Sequence, residues 1–200
     1  MNELSEKDKK NLLDLLKKGQ FERALKACEE ISRNRAPSFF LLHMKGLINA
    51  GLGRNDAAIE LYNLALELNS RSEHAHYNLG LAYQGAGNLA DAIKSFQAAI
   101  EISPTFFMAY TNLGNIYIST RDYLSAIESF RRALEIEPSS SLILSNLGAA
   151  LYHSGALEEA AERLTKAINL QPDLPNAWSN LGSVLKEKGE YDLALEHFFR

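Results

Sequence analysis

Apolar side chains recur along the chain at intervals of three and four residues, the spacing that places them on one face of an α-helix. One such stripe consists of Tyr110, Leu113, Gly114 and Tyr117. A second stripe follows the polar pair Arg121-Asp122 and consists of Ala126, Phe130, Ala133 and Leu134. Two amphipathic helices joined by a short polar turn predict an antiparallel helical hairpin.

The hairpin pattern repeats every 34 residues, and three residue types mark the period. Glycine recurs at positions 19, 53, 87, 155 and 189, with Arg121 at the one missing step. Alanine recurs without a gap at positions 24, 58, 92, 126, 160 and 194, and proline recurs at positions 104, 138 and 172. Because an irregular helical protein would not keep three residue types in one phase, the sequence predicts an array of repeated hairpins.

The recurring residues predict where each hairpin turns and where its helices touch. The glycines suit a left-handed turn after the first helix, and Pro138 is expected to end the second helix because proline lacks an amide hydrogen. Gly114 and Ala126 are expected where the two helices of a hairpin come closest. Ala133 is expected where the second helix meets the first helix of the next repeat.

The order aromatic-x-x-Leu-Gly-x-x-Tyr, then Ala-x-x-x-Phe, then Pro resembles the tetratricopeptide repeat. The fourth repeat shows it as Tyr110, Leu113, Gly114, Tyr117, Ala126, Phe130 and Pro138. The resemblance covers nearly the whole chain and implies an all-α fold, an α-solenoid in which antiparallel helix hairpins build a right-handed superhelix. It implies one solenoid domain of six repeats at residues 5–38, 39–72, 73–106, 107–140, 141–174 and 175–200, the last of them incomplete.

The two ends of the array depart from the repeat pattern. Polar Asp8 and Asn11 stand where other repeats carry the aromatic residue and leucine, which fits an N-terminal cap, and Ser5 with Asp8 predicts a capping box. The last repeat stops within its second helix, just after Phe198. Because exposed Leu195 and Phe198 would be costly, we expect a longer polypeptide or a second chain at this end, with a tolerated frayed end as the alternative.

Composition indicates an ordinary soluble protein without strong attraction for nucleic acid. The net charge is −4 at pH 7, and hydrophobic residues make up 46% of the 200 residues, enough for a packed core. The single cysteine, Cys28, excludes an internal disulfide, falls on an apolar helical position and favours a reducing, cytoplasmic location. Two stretches of low charge, 102–120 and 139–157, approach membrane-spanning length, but each crosses a predicted turn, so no membrane insertion is expected.

No catalytic or cofactor-binding pattern stands out, so we expect neither an enzyme active site nor a cofactor within these residues. The chain lacks a glycine-rich phosphate loop, a nucleophile elbow and a helical metal-binding pair. His74 and His76 point to different sides of one helix. His43 and His74 lie on adjacent repeats, but no carboxylate or thiolate ligand accompanies them in the pattern, which disfavours a metal site. Spaced pairs such as Glu128 with Arg132 indicate a solvated outer face.

An asparagine precedes Leu-Gly in four successive repeats, which gives a row of amides at Asn78, Asn112, Asn146 and Asn180. The resemblance to tetratricopeptide proteins implies that this position faces the concave groove of the solenoid. A side-chain amide offers donors and an acceptor, so such a row can bracket the backbone of an extended peptide. The same amides can instead bridge adjacent first helices, and both interpretations remain open.

The candidate peptide-binding set adds six neighbouring groove positions: Tyr77, Thr111, Asn115, Ser145, Tyr152 and Ser179. This groove is expected to be neutral, polar and modestly aromatic. Related chaperone-binding members use a lysine-rich clamp for a C-terminal carboxylate, and the corresponding positions here are expected to carry no Lys or Arg before Lys186. The expected ligand is therefore an uncharged or mixed protein segment in extended conformation.

The predicted function is a protein–protein interaction scaffold that holds an extended partner segment in its groove. The amide row and the unfinished last repeat also resemble the N-terminal superhelix of O-linked N-acetylglucosamine transferases and bacterial repeat-fused transferases. That resemblance implies an alternative, the substrate-recruiting part of a glycosyl-, sulfo- or methyltransferase whose catalytic domain lies beyond Arg200. A self-assembling oligomer that associates through the open C-terminal end is a second alternative.

Overall fold

The computed structural model describes residues 4–33 and 35–198, apart from the side chain of residue 198. Within these ranges the chain forms twelve α-helices and no strand. They are α1 (Glu6–Lys17), α2 (Phe21–Ser32), α3 (Phe39–Gly51), α4 (Asn55–Leu68), α5 (Glu73–Gly85), α6 (Leu89–Ile102), α7 (Phe107–Ser119), α8 (Tyr123–Ile136), α9 (Ser141–His153), α10 (Leu157–Leu170), α11 (Pro175–Glu187) and α12 (Tyr191–Phe198). None of these helices is both long enough and apolar enough to cross a bilayer.

The chain divides into two compact units, Met1–Ser103 (unit 1) and Pro104–Arg200 (unit 2). Within each unit, every odd-numbered helix packs against the even-numbered helix that follows it, and that helix packs against the next odd-numbered one. The odd-numbered helices, called first helices below, also contact each other where α3 meets α5 and where α9 meets both α7 and α11. The repeat boundaries, and their union into one solenoid domain, remain predictions.

In four of the hairpins a glycine of the first helix makes room for a large side chain of the second helix. A Cβ atom added at Gly114 would lie 2.6 Å from the ring of Phe130, far inside van der Waals contact. The same relation joins Gly46 to Tyr62, Gly80 to Phe96 and Gly148 to Leu164. Ala126 is fully buried, as a residue at a close approach must be. The group that fills the space at Gly114 is nevertheless the Phe130 ring, which the repeat pattern did not specify.

Alanine and proline act as predicted at the end of the second helix. Ala133 is fully buried in a cluster that includes Ile143 and Leu147 of the following first helix. Helix α8 ends at Ile136, and Pro138 follows one residue after its C-cap, Glu137. Small side chains at this contact let neighbouring hairpins pack closely.

The turn after each first helix has the predicted left-handed backbone. Glycine adopts φ angles of 66°, 73°, 80°, 86° and 82° at positions 19, 53, 87, 155 and 189, and Arg121 adopts 61°. Its N–H donates to the carbonyl of Ile118 at 3.0 Å, and the N–H of Asp122 donates to the carbonyl of Tyr117 at 2.8 Å. This pair of hydrogen bonds closes α7, so the turn forms even without glycine.

Replacing Arg121 with glycine is expected to raise the free energy of unfolding by about 1 kcal/mol, because a left-handed backbone strains any residue that has a Cβ atom. Chemical denaturation of the wild type and Arg121→Gly measures the change. Gly155→Arg, the reverse exchange at a turn with φ 86°, serves as the control and is expected to destabilise by a similar amount. An Arg121→Gly variant less stable than the wild type would contradict this account.

At the N-terminal end the structure shows the N-cap part of the predicted capping box. The Ser5 hydroxyl accepts from the N–H of Asp8 at 3.1 Å and donates to the Asp8 carboxylate at 2.7 Å, so the predicted N-cap is present, with the carboxylate bonded to the hydroxyl.

Cys28 is fully buried, and burial raises the pKa of its thiol to about 11. Leu195 is 55% exposed; the side chain of Phe198 lies outside the described residues.

Candidate functional site

The predicted binding residues lie on first helices in both units. Unit 1 carries Tyr77 and Asn78 on α5. Unit 2 carries the rest, on α7, α9 and α11, and they are Thr111, Asn112, Asn115, Ser145, Asn146, Tyr152, Ser179 and Asn180. Because α9 contacts both α7 and α11, these three helices share one face, which we call the amide face of unit 2. The two units are described separately below.

Two asparagines on the amide face bond directly to each other. The Nδ2 of Asn146 on α9 donates to the Oδ1 of Asn115 on α7 at 2.9 Å, and both residues are half-buried. The bond uses one donor of Asn146 and one acceptor position of Asn115. It leaves the carbonyl oxygen of Asn146 and the amide nitrogen of Asn115 with hydrogen-bonding capacity, an acceptor beside a donor.

The amides on either side of this bridge have different partners. The Nδ2 of Asn112 donates to the carbonyl of Met108 at 2.9 Å, one turn earlier in its own helix, and the hydroxyl of Thr111 bonds the carbonyl of Phe107 in the same way at 3.0 Å. Asn180 is half-buried, and its side chain makes no hydrogen bond to the described residues. One repeat position therefore takes three different environments within unit 2.

The other predicted binding residues on α9 and α11 differ in how exposed their side chains are. Ser179 is exposed on α11, and its carbonyl accepts from the Ser183 hydroxyl at 3.0 Å. Ser145 on α9 is only 2% exposed, so its side chain is buried and cannot contact a ligand. Its predicted place in an open groove is therefore corrected. Tyr152 is half-buried, packs against the core of unit 2 and lies 5.1 Å from the His153 ring.

The asparagine of unit 1 bridges to a histidine. The Nδ2 of Asn78 on α5 lies 3.0 Å from the Nε2 of His43 on α3. The His43 ring stacks on Phe39 at 5.5 Å and lies 5.6 Å from Tyr62. Burial, with a smaller contribution from nearby His74, lowers the pKa of His43. The ring is therefore neutral near pH 7, and its Nε2 accepts a hydrogen bond from the amide.

Tyr77 contributes more to packing than to an open surface. Its side chain is half-buried, and its ring lies 5.6 Å from the ring of Phe96 on the second helix of the same hairpin. Bridging between first helices is thus observed at Asn78 and Asn146. Peptide binding stays a prediction, and the two roles are compatible because each bridge uses only part of an amide.

The histidines and acidic residues do not assemble a metal site in the part of the chain that the structure describes. No group of three or more His, Cys, Asp or Glu side chains there is arranged to hold a metal ion. His74 pairs with Glu73 at 3.1 Å, and His76 bonds the carbonyl of Ser70 at 3.0 Å.

The exposed ion pair between Arg132 and Glu128, at 3.0 Å, lies on the second helix α8 as predicted.

Sequence reasoning missed a lysine cluster on the first helices of unit 1. Lys9, Lys10 and Lys17 of α1 line a depression together with Leu13 of α1 and Phe40 of α3. The expectation that the positions corresponding to the carboxylate clamp carry no Lys or Arg before Lys186 is not tested by this cluster and stays a prediction. The signal was present as lysines flanking an apolar residue at helical spacing, but α1 was interpreted only as a solvated cap.

Comparison with known proteins identifies the repeat. The family profile described as TPR repeat matches residues 46–87 and 150–189, and the profile described as Tetratricopeptide repeat matches residues 74–106 and 107–140. No curated protein sequence matches the chain.

Solved structures share the fold. A MamA crystal structure is 25% identical with a TM-score of 0.73, covering 77% of this chain and 90% of that one. MamA from residue 41 to its end, from Desulfovibrio magneticus RS-1, is 21% identical with a TM-score of 0.77 and covers 82% and 93%. YrrB, described as a TPR protein with an unusual peptide-binding site, is 21% identical with a TM-score of 0.70 and covers 88% of each chain.

These matches confirm the predicted fold class, an all-α solenoid built from tetratricopeptide units. They support the function of a protein-interaction scaffold. They do not favour either alternative, the substrate-recruiting part of a transferase or a self-assembling oligomer, over that function. The finer resemblance to O-linked N-acetylglucosamine transferases is not confirmed. The chain belongs to the tetratricopeptide-repeat family.

Proposed function

We propose that this scaffold binds an extended segment of a partner protein along the amide face of unit 2, and that side-chain amides pair with the partner's backbone. The observation that carries the proposal is the Asn146–Asn115 bridge. Its spare acceptor and donor match the N–H and C=O groups of a peptide unit. Asn180, half-buried and without a partner among the described residues, extends the same chemistry onto α11.

The spacing of first helices suits an extended ligand. Packed helices lie about 8–10 Å apart, and a chain in the extended polyproline II conformation advances about 3.1 Å per residue with three residues per turn, so amides one repeat apart meet roughly every third peptide group. The partner's intervening side chains are then free to contact apolar surface. Leu142, 55% exposed, and Met108, 37% exposed, offer such contacts on α9 and α7.

The chemistry of the amide face favours an uncharged or mixed segment. The predicted binding residues on α7, α9 and α11 are Asn, Thr, Ser and Tyr, with no ionisable carboxylate or amine. Backbone pairing gives breadth, and the exposed apolar side chains set preference between partners. Ordering an extended segment costs entropy, so modest affinity per residue is expected.

The scaffold function extends to four further proposals. The chain is not itself an enzyme, since its recurring motifs are those of helix packing rather than catalysis; its partner is a protein rather than nucleic acid, given the net charge of −4. The buried lone thiol of Cys28 supports a cytoplasmic location. Exposed Tyr191 and Leu195 on α12 are candidates for self-association, which light scattering across a concentration series would detect.

Changing Asn112 and Asn146 together to alanine is expected to weaken peptide binding about tenfold, because two hydrogen-bonding amides leave the ligand surface. Peptides of about twelve residues are first selected from a random displayed library on the wild-type protein. The affinity of the selected peptide is then measured by calorimetry for both proteins. The melting temperature is expected to fall only slightly, since one inter-helix hydrogen bond contributes about 1 kcal/mol.

The matched control is Asn63→Ala with Asn169→Ala, which removes two exposed amides from the second helices α4 and α10. It is expected to leave affinity unchanged. A large drop in melting temperature for Asn112→Ala/Asn146→Ala, with peptide affinity intact, would show that these amides serve the fold alone.

A further inference from the structure

A surface depression of about 350 Å³ lies on unit 1, lined by side chains of α1 and by Phe40 of α3. Its floor is apolar. Leu13 is 45% exposed there, and the half-buried Phe40 packs against the core of unit 1. Covering an exposed leucine and a neighbouring aromatic ring would remove apolar surface from water, which is favourable.

The charges around this floor do not cancel. Glu6 is paired with Lys9 and Asp14 with Lys18, each at 2.7 Å. Both acidic residues of the lining are thus neutralised within their own helix. Lys10 and Lys17 form no ion pair with the described residues, so the depression carries two uncompensated positive charges.

The two lysines stand on either side of the leucine. Positions 10, 13 and 17 follow i, i+3 and i+7, so their side chains share one helical stripe. The rise of an α-helix separates Lys10 from Lys17 by about 10 Å along the axis. In a polyproline II segment, which has three residues per turn and rises about 3.1 Å per residue, two carboxylates three residues apart lie on one side and span about the same distance.

We propose that this depression docks an acidic-apolar segment of a partner protein, in which two carboxylates three residues apart flank an apolar side chain. The carboxylates pair with Lys10 and Lys17, and the apolar side chain covers Leu13 and Phe40. Charge complementarity favours an acidic segment, because the two lysines make this depression locally positive in a chain whose net charge is −4. The surface lies on unit 1 and is independent of the amide face of unit 2.

The test uses short peptides with acetylated N-termini and amidated C-termini, so that no terminal charge takes part. A fluorescein-labelled peptide containing Glu-Ala-Leu-Glu is compared with Gln-Ala-Leu-Gln and Glu-Ala-Ser-Glu versions by fluorescence anisotropy. The wild type is expected to bind the first peptide about tenfold more tightly than either of the others. The preference for the charged peptide over its glutamine version is expected to weaken as salt is added. Peptide-induced shifts in a ¹H–¹⁵N spectrum are expected at Lys10, Leu13, Lys17 and Phe40.

Lys10→Gln/Lys17→Gln is expected to reduce binding of the acidic peptide to the level of the glutamine peptide. Lys26→Gln/Lys166→Gln, which removes two lysines elsewhere, controls for net charge and is expected to bind like the wild type. Equal binding of all three peptides, no binding at about 1 mM, or loss of binding in the control variant would overturn the proposal.

Two further outcomes distinguish a specific docking site from a general polyanion surface and from binding on the amide face. A single-stranded oligonucleotide that binds with the same dependence on Lys10 and Lys17, and without dependence on Leu13, would show a general polyanion surface and overturn the proposal. Acidic-peptide binding that responds to Asn112→Ala/Asn146→Ala and not to the lysine variant would place the ligand on the amide face. That result would overturn the unit 1 proposal and leave the proposed function intact.

Discussion

Replacing Gly114 with leucine is expected to lower the free energy of unfolding by about 3 kcal/mol. The first atom of the new side chain would lie 2.6 Å from the Phe130 ring, which is itself fully buried and cannot move aside into solvent. The helices of the hairpin must separate, or the ring must leave its rotamer, and either change disrupts close packing. Urea denaturation followed by circular dichroism measures the loss.

Two companion variants make the result specific to this contact. Gln97→Leu adds an apolar side chain at an exposed helical position and is expected to change stability by less than about 0.5 kcal/mol. In a Phe130→Ala background, Gly114→Leu is expected to cost clearly less, since the obstructing ring is gone. Wild-type stability for Gly114→Leu would mean that the two helices are not held together at this point.

Replacing Phe96 with alanine is expected to lower the free energy of unfolding by about 3–5 kcal/mol. The ring is fully buried, occupies the space opened by Gly80 and lies 5.6 Å from the Tyr77 ring. Its loss removes a large apolar surface and leaves a cavity that the surrounding helices α5 and α6 cannot fill. Chemical denaturation measures the total loss, and amide hydrogen exchange is expected to show it first in those two helices.

Leu124→Ala is the matched control for this prediction. Leu124 is 76% exposed at the start of α8, so its truncation is expected to leave stability within about 0.5 kcal/mol. Similar losses for Phe96→Ala and Leu124→Ala would contradict the placement of the hairpin core.

The fold was predictable because its determinants repeat. A left-handed turn needs a residue that tolerates positive φ, and the series ending at Gly189 identifies that position even where Arg121 interrupts it. A close helix approach needs a missing side chain, and Gly114 identifies it. What the period could not give is the identity of the group that fills each space, since Phe130, Tyr62 and Leu164 all serve at equivalent places.

The candidate site was less predictable because hydrogen bonding depends on neighbours rather than on repeat position. Asn78 meets a histidine and Asn146 meets another amide, while Asn112 bonds its own helix, although all three precede Leu-Gly. The residue presented by the adjacent helix decides between these bonds, and that residue varies from repeat to repeat. Register alone also placed Ser145 in the groove, whereas the packing of α9 buries it.

The lysine surface was missed for a different reason. Whether Lys10 and Lys17 act as solvated charges or as a binding pair depends on which acidic neighbours are already paired. Lys9 pairs with Glu6, and Lys18 pairs with Asp14. These pairings depend on side-chain rotamers, which the sequence pattern does not specify. The proximity of Phe40, from a different hairpin, likewise requires the packed structure.

The most direct test of backbone recognition by the amide face is a scan in which each amide of the selected peptide is replaced in turn by an ester. An ester removes one N–H donor and weakens the neighbouring carbonyl acceptor without changing a side chain. We expect a loss of about threefold to tenfold at roughly every third position, smaller in Asn112→Ala/Asn146→Ala, while most single alanine substitutions in the peptide are tolerated. Uniform affinity across the ester series, with affinity governed by the peptide's side chains alone, would contradict it.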